Sequence, residues 1–146
     1  MDFGLINWIN AAAVACLILI NVIAAGKGVS HGFRSKHLII NIFEQIGRYG
    51  CMAFMILPIF TKGWEFGFAS VAEMVIWLLS TILLLMLYSV LWIKKARGGG
   101  VATLYGLAVL PVILFLSNGI LLRHFVLIAA ALFFGAFHLI IVKENT

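Results

Sequence analysis

Five stretches of mainly apolar residues, 5–25, 38–60, 71–93, 101–116 and 120–142, occupy most of the chain and limit what it can fold into. About 20 such residues are needed for a helix to cross the hydrocarbon of a bilayer, where a helix can bond its own backbone groups without water. A water-soluble alternative fails on surface area. The chain is 64% hydrophobic and 10% charged over 146 residues, whereas soluble domains are about a quarter charged. A domain this small has too little interior to hide that much apolar surface. The mean hydropathy of +1.18 agrees. The expected fold is an all-α membrane protein, one polytopic domain with a bundle of about five transmembrane helices.

The punctuation between the segments refines that expectation. Residues 101–116 form a short segment containing Pro111, and Ser117-Asn118-Gly119 reads as a turn. Segments four and five therefore form a tight helical hairpin, with a re-entrant fourth segment as the alternative. Pro58 and Pro111 are expected to kink segments two and four. Ala11 with Ala15, and Ala131 with Gly135, have the small-xxx-small spacing that lets helices approach closely. The first segment reads as a retained helix rather than a cleaved leader, because Asp2 precedes it and no Lys or Arg does. Cys16 and Cys51 lie in apolar runs and read as buried free thiols.

Orientation follows from the positive charges in the loops. Lys27, Arg34 and Lys36 follow segment one, and Lys94, Lys95 and Arg97 follow segment three. The opposite side carries only Lys62 and Arg123. This places the N-terminus outside and the C-terminus in the cytoplasm, in the cytoplasmic membrane of a prokaryote. Trp8 and Trp64 then fall at the outer interface and Trp92 at the inner one. The six cytoplasmic positives are expected to contact anionic inner-leaflet lipid. The net charge of +5 is explained by this topology, and no nucleic-acid partner is required.

Against this background the stretch NIFEQIGRYG, residues 41–50, stands out. At 100° per residue Asn41, Glu44, Gln45 and Arg48 share a stripe, which should face other helices or a wet cavity rather than lipid. Glu44 and Arg48 are i, i+4 partners and can neutralise each other. At about 1.5 Å per residue Arg48 lies roughly 15 Å in from Leu38, too deep to reach water easily. Counting inward from the cytoplasmic ends brings Asn21, Asn41 with Glu44, Ser89, Tyr105 and His138 to one level, roughly 4 to 9 Å deep. The candidate ligand-binding residues are thus Asn41, Glu44, Gln45, Arg48, His138, Asn21 and Tyr105. The alternative for each polar group is interhelical glue, worth about 0.6–2 kcal/mol per hydrogen bond. Burying charge costs several times that, which sets Glu44 and Arg48 apart.

Motifs for catalysis or cofactors are lacking: no HExxH, GxSxG, phosphate loop or CxxC occurs. His31 and His37 sit in a Gly-rich loop without an acid or thiol nearby. His124 and His138 lie about 21 Å apart along one helix and cannot bracket a haem iron. No metal or cofactor is expected. Three functions fit: first, binding or transport of a small anionic or proton-coupled solute at the polar layer; second, a non-catalytic accessory or assembly subunit of a larger membrane complex; third, a lipid-headgroup-modifying enzyme. Five helices enclose little space, so a homodimer suits the first.

Overall fold

The computed structural model describes residues 6–28, 34–61 and 66–146. Asp2, His31, Lys62 and Trp64 lie outside the described residues. The described residues form five α-helices and no strand: α1 (Trp8–Gly26), α2 (Leu38–Ile56), α3 (Val71–Ala96), α4 (Val101–Leu121) and α5 (Phe125–Glu144). Four of them, α1, α3, α4 and α5, are long and apolar enough to cross a membrane. The protein is a small, all-helical membrane protein. The helix that misses this criterion is α2, whose hydropathy is lowered by Asn41, Glu44, Gln45 and Arg48.

Successive helices run antiparallel. The most extensive packing joins α2 to α5, α3 to α4 and α4 to α5, while α1 lies more lightly against α2 and α3. Ala13, Val14 and Leu17 of α1, Cys51 and Met55 of α2, Tyr88 of α3, Leu114 and Phe115 of α4, and Ala131 and Phe134 of α5 form a common core. The outward faces are apolar as well, with Val22, Leu79, Leu83, Met86 and Leu132 all exposed. An apolar coat of this extent is the signature of a lipid-facing surface.

Three helix starts carry side-chain caps. Asn7 accepts from Asn10 N (3.1 Å), Ser70 from Glu73 N (3.2 Å), and His124 Nδ1 from Leu127 N (3.2 Å). Each occupies one of the backbone donors that a helix leaves open at its first turn.

The helix ends differ from expectation in two places, each with a local cause. The second helix stops at Ile56 rather than near residue 60, and Leu57 is extended. Pro58 disfavours a helical residue before it, so it ends the helix and does not kink it. The fourth helix, by contrast, runs through Ser117-Asn118-Gly119 to Leu121 with Pro111 inside it, a continuous 21-residue helix. Asn118 is fully buried. Its Oδ1 accepts from Trp77 Nε1 (2.5 Å), and its Nδ2 donates to Leu114 O (2.9 Å) and Thr81 Oγ1 (3.4 Å). Tertiary hydrogen bonds thus occupy the side chain that would otherwise have closed a turn. The reversal comes instead at Leu122–His124, where Arg123 takes a left-handed φ of 55°. Arg123 is held there by Gly67 O (2.6 Å) and by the two oxygens of Glu73 (2.9 and 3.1 Å).

Of the small-residue pairs, Ala131 and Gly135 are buried, and a Cβ on Gly135 would stand 2.8 Å from Val112. Ala15 is exposed, so the α1 pair is not a packed seam. Cys51 is buried as expected, but Cys16 is exposed.

The His124 cap yields a pH prediction. Its ring is buried, and desolvation holds its pKa below the usual histidine value. Nδ1 can accept from Leu127 only while that nitrogen carries no proton. The depressed folded value means the unfolded chain takes up protons first. The stabilisation is complete above about pH 6.5 and is lost as the pH falls through the lower folded value. Thermal unfolding in detergent should weaken on that acid side by about 1 kcal/mol, the worth of a cap. In His124→Asn, which caps without titrating, this part of the pH dependence should disappear.

Candidate functional site

The site originates at one helix crossing. A Cβ built on Gly47 would lie 2.8 Å from Phe134 Cα, so α2 and α5 meet here almost backbone to backbone. The helices are antiparallel. One turn toward the same end of the bundle is therefore Glu44 on α2 and His138 on α5. The two meet: His138 Nδ1 lies 2.9 Å from Glu44 Oε1. An ionised carboxylate only accepts, so Nδ1 carries the hydrogen in this contact.

One turn past Glu44 on its own helix, Arg48 donates from Nη2 to the same oxygen, Oε1. A single carboxylate oxygen therefore takes one donor from each helix. Phe134 lies beside both donors. His138 stacks on its ring (centroids 4.9 Å, planes 25° apart), and Arg48 Cζ lies 6.0 Å from the same ring's centroid. The aromatic face is itself a weak partner for positive charge. Phe115 meets Phe134 edge-on (5.9 Å, 71°) and holds it in place.

The three side chains grade from inside to outside. Glu44 is 3% exposed, His138 16% and Arg48 37%. Arg48 has five N–H donors, and among the described residues its only hydrogen-bond acceptor is Glu44. The cluster is thus an acid sealed in the bundle with a guanidinium reaching out from it.

The other candidates fall elsewhere. Asn41 binds the chain that leads into α2, accepting from Ser35 N (2.8 Å) and donating to Ser35 O (2.8 Å). Gln45, expected on the inward stripe, is exposed, because the buried face of α2 is centred on Glu44, Gly47, Cys51 and Met55. Asn21 accepts from Tyr88 OH (2.7 Å) and donates to Leu17 O (2.8 Å), joining α1 to α3. Tyr105 is 36% exposed and bonds to Thr146 (3.2 Å), away from the cluster. Ser89 bonds back to Leu85 O (2.9 Å) on its own helix. The polar level shared by five helices thus resolves into separate pairs, with Glu44, Arg48 and His138 as the one charged group.

Sequence reasoning overlooked Tyr88 and Phe134. Tyr88 adjoins Ser89, and only the rotation of α3 decides which faces the bundle. Phe134 is one of many phenylalanines with no distinguishing neighbour. A second polar set at the opposite end was also missed. There Asn10 Nδ2 donates to Met55 O (2.9 Å) and Asn7 N to Ile56 O (2.8 Å), tying α1 to the end of α2. Lys94 and Arg97 line an open depression of about 430 Å³ with Val90, Ile93 and Gly98–Gly100, separate from the Glu44 cluster. Compared with known protein families, curated proteins and solved structures, the chain matches none.

Proposed function

We propose that the Glu44–Arg48–His138 cluster binds a small anionic solute within the membrane, as the working site of a binding or transport protein. In this reading α2 crosses the bilayer with the other four helices. The N-terminus lies outside, the C-terminus lies in the cytoplasm, and the cluster opens toward the cytoplasmic half. Lys94, Lys95 and Arg97, with Lys27, Arg34 and Lys36, contact anionic lipid at that face.

One observation carries the proposal. Arg48 keeps most of its donors and over a third of its side-chain surface beyond its one bond to Glu44. A pair serving only to neutralise charge would gain by turning the guanidinium fully onto its carboxylate. A planar fork with open donors suits a carboxylate or another oxyanion.

A second reading, an assembly subunit of a membrane complex, draws on α1. This helix packs lightly and exposes Ile18, Leu19, Val22 and Ile23, a face that a partner helix could cover. Native mass spectrometry of gently purified protein separates the two. A discrete small mass carried by the wild type and lost from Arg48→Gln, which removes the guanidinium fork, is the expected result. Heterogeneous lipid alone on both forms would transfer the assignment to the assembly reading.

A further inference from the structure

We infer that the cluster takes its anion together with one proton, which settles on His138, and that the anion carries a single negative charge. This rests on the anion-binding reading above and adds the coupling and the charge of the ligand.

The argument starts from the shared oxygen. Arg48 Nη2 and His138 Nδ1 both point at Glu44 Oε1. With His138 neutral, Glu44 and Arg48 balance, and the cluster has no net charge. Histidine is the side chain that changes charge between about pH 5 and 8. Because Nδ1 already carries a hydrogen toward Glu44, an incoming proton must add at Nε2, which has no partner among the described residues. The resulting imidazolium donates to Glu44 through a charge-assisted bond, stronger than the neutral one. It then competes with Arg48 for Oε1. The cluster now carries one uncompensated positive charge in a low-dielectric setting, and Arg48, the outermost member, is where it can be met.

Among the described residues no other group nearby supplies the compensation. The helices packed most closely on α5 are α2 and α4. The titratable and charged groups of α2 are Glu44, Arg48, Tyr49 and Cys51, and α4 has only Tyr105. Tyr49 is exposed, Cys51 is buried in the core, and Tyr105 is bonded to Thr146. On α5 itself, Lys143 and Glu144 lie more than a turn farther along. Glu44 is the one carboxylate in contact with His138, and it is already paired. One proton therefore calls for one monovalent anion from outside, and neutrality is kept when both are bound. By linkage the anion must hold the proton in the same measure that the proton holds the anion.

The test uses the full chain in phosphatidylcholine nanodiscs. The probes are benzenesulfonate from solution and hexadecanesulfonate from the bilayer, whose charges stay constant over the range used. Calorimetry should show affinity rising as the pH falls from about 8 to about 6, with net proton uptake on binding that does not exceed one per anion. Whichever sulfonate binds names the route, aqueous or bilayer-borne. His138→Asn, which can still donate to Glu44 but takes up no proton, should keep the wild type's weak high-pH affinity at every pH, and Arg48→Gln should not bind. Wild-type binding without pH dependence or proton uptake would overturn the coupling and leave the anion site standing. Tighter binding of benzene-1,3-disulfonate would overturn the single-charge assignment. No binding of either sulfonate at any pH would overturn the anion-binding reading itself. The wild-type series decides these outcomes even if a variant fails to fold.

Discussion

Glu44→Leu is expected to destabilise the protein by about 3 kcal/mol or more, and adding Arg48→Leu to recover most of the loss. Glu44 is the only hydrogen-bonded counter-charge of Arg48 among the described residues, and its side chain is 3% exposed. Removing one partner of a buried pair leaves the other charge desolvated, at a cost of about 3–5 kcal/mol. Replacing both by apolar residues is often neutral or better. Arg48 is itself only partly buried, 37% exposed, so the penalty falls at the lower end of that range. Titration into a denaturing detergent, followed by helix content, would measure both variants. Equal stability of Glu44→Leu and the wild type would mean that Glu44 is not the counter-charge on which Arg48 depends. The double variant has a second use. Folded but unable to take up an anion, it would show that the charges are kept for binding and not for the fold.

The other large effect is expected at Gly47. Leucine there must displace Phe134 Cα and Cβ, which a Cβ would approach to 2.8 and 3.0 Å, and Phe133 Cδ1 at 3.1 Å. Two of these three atoms are fixed by the α5 backbone, so no rotamer change relieves the clash. The helices must separate. Overpacking of this kind costs about 1–3 kcal/mol, occasionally more, and Gly47→Leu belongs at the upper end because a backbone is in the way. Separation also draws Glu44 from His138, since both sit one turn from this crossing. Loss of stability should therefore come with loss of any pH-dependent anion binding. Gly50 is the control on the same helix. A Cβ there meets only Phe54, at 3.9 Å, so Gly50→Ala should leave stability unchanged or raise it by up to about 1 kcal/mol through helix propensity. Equal losses at Gly47 and Gly50 would refute the close crossing.

Much of the fold was legible because membrane-length helices are specified by local composition. All five apolar segments became helices. The helix ends were less legible. Ser117-Asn118-Gly119 is a sound turn signal, yet Trp77 and Thr81, some 40 residues away in sequence, bind the Asn118 side chain and carry the helix onward. Residue-by-residue turn preferences contain no information about that partner. Pro58 behaved as its own stereochemistry requires, and the error there was to extend an apolar pattern past it.

The candidate site divides in the same way. Glu44 and Arg48 could be paired from spacing alone, since i, i+4 neighbours on a helix meet whatever surrounds them. The inward orientation of Glu44 followed from the cost of charge in lipid, whereas Arg48, expected on the same inward stripe, reaches outward from it. That Gln45 turns outward, that Tyr88 rather than Ser89 faces the bundle, and that His138 rather than some other polar group meets Glu44 could not be so derived. Each depends on the rotation of a helix about its own axis. In a water-soluble bundle the hydrophobic stripe sets that rotation. Here α5, apart from His138 and its last turn, is apolar on every side, and lipid accepts such faces alike. The rotation is decided instead by where backbones can approach, as Gly47 does against Phe134. The sequence alone determined the membrane class, the helices and the charged pair, because those rest on local spacing and solvation. Only the tertiary structure decided which side chains meet, because that rests on shape.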